Sequence, residues 1–213
     1  MQHQRIAIVG IHTGIGKTVT SAALTEALQA DYWKPVQAGE LDNSDTMKVA
    51  SCVRNTRSVI HPERYRLREP MSPHAAAAHE GIDIQLSDFV LPETDNLLLI
   101  ETAGGVMSPL TQHHTMVDFV KHLNVPVILV SAAYLGSINH TLLCLEVLAQ
   151  RNVEVLGVIF SGERNEESED FVKRYKNMQH IAHVPHLHEV NAEHVQALVE
   201  PLRQCIASWV KAV

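Results

Sequence analysis

Short, unbroken apolar runs alternate along the chain with longer stretches in which apolar residues recur every three or four positions. The first pattern suits strands covered on both faces, the second helices with one buried stripe. Residues 5–9 predict a buried strand, and after Gly-rich punctuation residues 17–28 predict a helix. Residues 31–36 predict a second short strand. Asn43-Ser44-Asp45 predicts a turn feeding a helix that runs to residue 53, with Asp45 read from spacing alone as its cap. Residues 72–80 predict a helix with Pro73 in its first turn and Gly81 ending it. The clearest strand is 96–100, where Leu97, Leu98, Leu99 and Ile100 are consecutive. Beyond it follow a helix (115–123), a strand (125–130), a helix (138–151), a strand (153–160) and helices at 166–178 and 192–210. This alternation predicts one α/β domain over 1–213, three-layered and doubly wound, with a mainly parallel sheet and helices on both faces. Right-handed crossovers then gather the loops after the strands along one sheet edge, where ligands bind.

Composition narrows the function classes. The chain has 213 residues, 46% hydrophobic and 19% charged, which suits one domain with a substantial core. Seventeen basic against 24 acidic residues give a net charge of −7 without a basic run, so nucleic acid is not an expected partner. The N-terminal MQHQRIAIVG enters an apolar run at once and lacks the organisation of a signal peptide. No segment is apolar for long enough to span a bilayer, so no membrane association is expected. Cys52, Cys144 and Cys205 stand far apart, and their odd number fits a reducing cytoplasm. The histidines are scattered. His113-His114 and the His186/His188 pair form no convincing metal-ligand set and are read as exposed loop residues.

The strongest chemical signal is Gly10-Ile11-His12-Thr13-Gly14-Ile15-Gly16-Lys17-Thr18, between a predicted strand and a predicted helix. In this context glycines let the backbone curl so that its N–H groups, with the helix N-terminus, face phosphate oxygens. Lys17 brings positive charge to the outer phosphates, and the Thr18 hydroxyl suits Mg²⁺. Measured against the usual phosphate-loop spacing the first glycine stands one residue early, at Gly10, with Ile11 in its place. Gly14 to Val19 are the nucleotide-binding segment. His12 is read as a loop residue near phosphate that adds positive charge when protonated.

A carboxylate partner follows from the strand at 96–100. Glu101 ends that strand and precedes Thr102-Ala103-Gly104-Gly105, whose small residues allow backbone to approach phosphate. Beside a phosphate loop, such a carboxylate is placed to hold Mg²⁺ directly or through water.

Four segments taken together resemble the dethiobiotin synthetase family of P-loop enzymes: Gly10–Thr18 (GIHTGIGKT), Lys34–Gly39 (KPVQAG), Asn43–Asp45 (NSD) and Glu101–Gly105 (ETAGG). SPHAAAA from Ser72 and LGSINH from Leu135 extend the match, which runs in order from about residue 5 to 160. The shifted phosphate-loop glycine is that family's own spacing. The resemblance implies carboxylation of 7,8-diaminopelargonate by CO₂, phosphorylation of the carbamate by ATP, and ring closure to dethiobiotin with release of ADP and phosphate. It implies that Lys17 and Lys34 offset repulsion between the carbamate and the γ-phosphate, and that Thr18, Asp45 and Glu101 hold Mg²⁺. Thr13, Lys34, Glu40, Pro73 and Ala75 would line the diamine site. Leu135, Gly136, Ser137, Ile138 and Asn139 would come from the second subunit of a homodimer, with the site at the interface. Glu101 through Gly104 would touch nucleotide, with Ser161, Gly162, Pro185, His186 and Leu187 on the base side.

The match has departures. Thr102 replaces a glycine, and Glu40 stands where a small hydroxyl residue is usual, which either repels the carbamate or holds an amine. Ser161 replaces an asparagine that reads adenine, leaving nucleotide selectivity open. Three competing readings are a partitioning-type P-loop switch ATPase, a related synthetase acting on another acid, and a degenerate binding protein. The first requires a second lysine near the start of the loop, where Ile11-His12-Thr13 has none. Intact Lys17, Thr18, Lys34, Asp45 and Glu101 oppose the last.

Overall fold

The computed structural model describes residues 4–187 and 189–210. In chain order its elements are β1 (Arg5–Gly10), α1 (Lys17–Leu28), β2 (Asp31–Trp33), β3 (Val36–Ala38), α2 (Asp45–Cys52), β4 (Ile60–His61), β5 (Tyr65–Leu67) and α3 (Pro73–His79). They continue with β6 (Leu98–Glu101), α4 (Met116–Leu123), β7 (Val127–Ala132), α5 (Ser137–Gln150), β8 (Val155–Gly162), α6 (Glu166–Lys176), β9 (Ile181–Pro185) and α7 (Ala192–Val210).

Seven strands form a wholly parallel sheet in the order β4-β2-β6-β1-β7-β8-β9. The chain starts at β1, steps outward to β2 and β4, returns to fill the gap with β6, then crosses to β7 and beyond. Its direction of travel reverses about β1, so the loops after β1 and β6 border the crevice at the strands' carboxyl ends. Ile6 to Val9, Leu98 to Ile100, Val127 to Val130 and Val158 to Phe160 are all buried, as strands covered on both faces require. One face packs against α1, α2 and α7, the other against α5, with α6 packed on α5. Helix α1 is nearly engulfed. Its Ala22, Ala23 and Ala27 are small enough for α7 to lie close across it. Gly157 plays the same part on β8: a Cβ there would stand 2.6 Å from the Trp209 ring of α7.

The expected fold class is observed, with one element reorganised. The strand read over 31–36 breaks after Trp33. Pro35 has no N–H to give a ladder, and β3 leaves the main sheet to pair with β5 in a separate two-stranded sheet. That break turns Lys34 out of the sheet edge and into the crevice. Strand 125–130 is observed two residues later, as β7.

Candidate active site

The turn from β1 into α1 is a backbone cradle. Gly16 caps α1 with φ +90°, a left-handed conformation that glycine alone adopts without strain. A Cβ at Gly16 would also stand 2.1 Å from the Ser161 hydroxyl on β8, so the loop lies directly against the end of that strand. Lys17 folds back across the cradle, and its ammonium donates to the carbonyls of His12 (3.0 Å) and Gly104 (2.7 Å). Both acceptors are neutral and Lys17 is buried. Desolvation therefore pulls its pKa down to about 8, against the opposing attraction of Glu101.

Across the crevice stands a fully buried carboxylate, Glu101, at the end of β6. Its Oε1 accepts from the Thr18 hydroxyl (3.0 Å) and the Lys34 ammonium (2.9 Å), and its Oε2 from the Tyr32 hydroxyl (3.0 Å). Lys34 also donates to Asp45 at the start of α2. Burial works against the Lys34 charge, but Glu101 and then Asp45 outweigh it and hold the ammonium above the usual lysine value. Burial likewise disfavours the Asp45 anion. Lys34 reverses that, so the carboxyl lies below its usual range. Burial, then the charge of Glu101, pushes the Tyr32 hydroxyl far above 10, leaving it a permanent donor.

Asp45 is free to make this pair because it is not the helix cap that its spacing suggests. Ser44 is the cap: its hydroxyl accepts from the Met47 N–H at 3.3 Å and donates to Glu63 at 3.0 Å. Asp45 is instead the first residue of the helix, where a negative charge complements the dipole, and its N–H donates to the Gln37 side chain at 3.2 Å.

These groups open on one cleft of about 850 Å³. Of the residues singled out from sequence, Thr13, Gly14, Gly16, Lys17, Thr18, Val19, Lys34, Glu40, Asp45, Pro73, Glu101, Ala103 and Gly104 all border it. Glu40 stands at its rim in a 2.8 Å ion pair with Lys48, a further cleft lysine that also lies 3.8 Å from Asp45. Ile15 points into the core, and Thr102 is buried with its hydroxyl on the Ile8 carbonyl at 3.1 Å. Ser161, Gly162, Pro185, His186 and Leu187 gather at the ends of β8 and β9, where Ser161 faces Val184 and Gly162 faces Pro185.

Ala75, on α3, does not border the cleft. Neither do Leu135 to Asn139, at the turn into α5, with Leu135 fully exposed. His114 is half-buried against the Thr111 hydroxyl (3.0 Å) rather than exposed, and His188 lies outside the described residues. Among the described residues no three His, Cys, Asp or Glu side chains cluster as metal ligands, and no helix is long and apolar enough to cross a membrane.

Sequence reasoning missed Tyr32 and Lys48. Lys48 follows Asp45 by three residues, so helical spacing alone puts both on one face of α2. The signal for Tyr32 was a phenol inside a buried strand, which needs a partner for its O–H.

A strand, a glycine cradle and a Lys-Thr helix start, facing an acid at the end of the neighbouring strand, define a P-loop nucleotide-binding protein. Residues 4–194 match the family model described as an AAA domain. Two solved structures share the fold at low identity. One is a ParA family ATPase from Chlorobium tepidum (12% identical, TM-score 0.51, covering all of both chains). The other is a putative plasmid partition protein from Borrelia burgdorferi bound to AMPPNP (11%, TM-score 0.55, covering 96% of this chain and 99% of that one). Nearer relatives are named ATP-dependent dethiobiotin synthetase BioD. The protein from Cytophaga hutchinsonii is 47% identical over 89% of this chain and 92% of its own. That from Christiangramia forsetii is 46% identical over 83% and 85%, and that from Nitrobacter hamburgensis 43% over 86% of each. The chain belongs to the dethiobiotin synthetase family.

Proposed function

We propose that this protein is an ATP-dependent dethiobiotin synthetase, converting 7,8-diaminopelargonate, CO₂ and ATP to dethiobiotin, ADP and phosphate. The observation that carries this reading is the meeting of Lys17, Lys34, Asp45 and Glu101 in one cleft, in a chain of this family. One substrate amine adds to CO₂ and loses a proton, giving a carbamate. A carbamate oxygen attacks the γ-phosphorus of ATP and ADP leaves. The second amine then attacks the carbamoyl carbon and expels phosphate, closing the cyclic urea.

The carbamate and the γ-phosphoryl group are both anionic, so bringing them together requires fixed positive charge. Lys17 supplies it at the phosphate loop, exchanging the His12 and Gly104 carbonyls for phosphoryl oxygens. Lys34 supplies it between nucleotide and carbamate. Thr18, Asp45 and Glu101 offer one hydroxyl and two carboxylates, a hard-oxygen set that suits Mg²⁺. These carboxylates already share a cation, the Lys34 ammonium, so the site accepts positive charge. When bound, Mg²⁺ neutralises charge on the phosphate chain.

Thr13 and Pro73 border the same cleft and would hold the diamine. Leu135, Gly136, Ser137, Ile138 and Asn139 would serve the substrate's carboxylate tail from the second subunit of a homodimer. The exposure of Leu135 and the start of α5 without a side-chain cap support that reading. Purified protein given diaminopelargonate, bicarbonate, Mg²⁺ and ATP is expected to form dethiobiotin and release phosphate. ATP turnover indifferent to the diamine overturns the reading. The same assay with other nucleoside triphosphates reports what Ser161 does on the base side.

A further inference from the structure

We propose that Tyr32 is a positioning residue that fixes the plane of the Glu101 carboxylate, holding one oxygen in the core and the other at the cleft, and so tunes how the site takes a divalent cation. The inference rests on the reading above that Glu101 serves such a cation. It starts from sheet register. Strands β2 and β6 are parallel neighbours with Tyr32 opposite Leu99, and Glu101 lies two residues beyond Leu99. Side chains two apart on a strand share a face, so Tyr32, Leu99 and Glu101 point the same way. Two residues of strand span about 6.6 Å, a gap that a tyrosine ring bridges and shorter side chains do not. The hydroxyl accordingly lands on Glu101 Oε2 at 3.0 Å, with Tyr32 itself wholly buried.

The consequence is asymmetry in the carboxylate. Oε2 is turned away from the cleft and given a donor inside the core. Oε1 is left to Thr18 and Lys34, the two groups that border the cleft. A carboxylate free to rotate about its last torsion samples a wide range of orientations, because such torsions are broad. The Tyr32 hydroxyl narrows that range and keeps the cleft-side oxygen in one direction. Glu101 is fully buried, so without this donor Oε2 has no solvent to turn to. Phenylalanine fills the same volume and lacks only the hydroxyl, which makes it the decisive substitution.

The test is calorimetric titration of ATP binding against Mg²⁺ concentration, without diamine. Outer-shell partners of metal-binding groups commonly change metal affinity about 10- to 100-fold. Tyr32→Phe is therefore expected to raise the Mg²⁺ concentration at half-effect within that range, while ATP binding in EDTA stays at the wild-type level. A merely structural role lowers the melting temperature and leaves the Mg²⁺ midpoint unchanged, and that result overturns the proposal. Should the phenylalanine variant not fold, 4-aminophenylalanine at position 32 keeps a weaker donor. A midpoint above wild type then supports the proposal, and a wild-type midpoint overturns it. No diamine enters the measurement, so the outcomes separate. Wild-type protein that binds ATP with Mg²⁺ but makes no dethiobiotin removes the proposed reaction alone. An unchanged midpoint in Tyr32→Phe removes the Tyr32 assignment alone.

Discussion

Replacing Lys34 with methionine keeps an unbranched side chain one atom shorter and removes the charge that two carboxylates share. In the folded protein Lys34 and Glu101 are buried and Asp45 is about a fifth exposed. Breaking a buried pair by removing one partner typically costs about 3–5 kcal/mol, because a charge is left without its counterion. The lower end applies here, since Lys48 lies 3.8 Å from Asp45 and water reaches that carboxylate. For a chain of 213 residues, 3 kcal/mol lowers the melting temperature by about 6–12 °C. The pH dependence has a definite sign. Lys34 is raised on folding, so its contribution is complete below 10.5 and lost only as pH climbs through the higher folded value. Asp45 is depressed, so its contribution is present above 3.8 and lost as pH falls through the lower folded value. The gap between wild type and Lys34→Met is therefore expected to be wide at neutral pH and to narrow in acid. Thermal melts in EDTA across pH measure it directly. Dethiobiotin formation is expected to fall by about 10²–10³ or more, as when one preorganised donor to a developing charge is removed. A variant that melts with wild type at neutral pH, or that still makes product at the wild-type rate, refutes the argument.

Lys17→Met has the opposite effect on stability. A lysine with a folded value of about 8 against 10.5 binds its proton less well when folded, so its charge costs stability at neutral pH and that cost fades as pH rises through this window. The ligand-free variant is expected to be more stable at pH 7 by up to roughly 3 kcal/mol while losing ATP affinity, and a lowered melting temperature contradicts this. Gly16→Ala combines a left-handed φ with a 2.1 Å approach to the Ser161 hydroxyl. It is expected to cost about 1–3 kcal/mol and to abolish ATP binding. Adding Ser161→Gly should restore the part due to the clash but not the part due to φ, and wild-type affinity in the single variant would remove the loop geometry from the argument.

What the sequence disclosed, and what it withheld, follows from the range of the interactions. Strands β1, β6, β7 and β8 were legible because burial on both faces writes itself as an uninterrupted apolar run, Leu97 to Ile100 being the plainest. Strands β4 and β5, two and three residues long, are defined by hydrogen bonds to β2 and β3 rather than by hydrophobicity, and His61 and Arg66 mask any pattern. Strand β9 carries His183 and ends on Pro185, a residue that argues against a strand. The phosphate loop was legible because its chemistry is local: nine consecutive residues make the cradle. Spacing alone misassigned the cap to Asp45 because Ser44 and Asp45 both suit a helix cap. Only the arrival of Lys34, from eleven residues earlier and from the gap between β2 and β3, decides which of them caps and which makes an ion pair. The phenol of Tyr32 inside a buried strand called for a partner, but the sequence did not say which, since that partner is 69 residues away.

The two lysines also differ in what they must give up, and this separates their roles. Lys17 donates to two neutral carbonyls, so a phosphate oxygen replaces weaker acceptors with a stronger, charged one. That exchange needs no other group to move, and Lys17 is available as soon as nucleotide enters. Lys34 is paired with two carboxylates, one of them fully buried. Drawing it toward an anionic substrate leaves both uncompensated unless another cation takes its place on Asp45 and Glu101. In the ligand-free cleft the charges of Lys17 and Lys34 balance those of Asp45 and Glu101, so a triphosphate and a carbamate add only negative charge to a neutral site. Lys17 should then express itself mainly in nucleotide affinity. Lys34, released only once a cation has arrived with the nucleotide, should express itself mainly in kcat. The contrast follows from a single structural difference, neutral acceptors for one ammonium and ionised acceptors for the other.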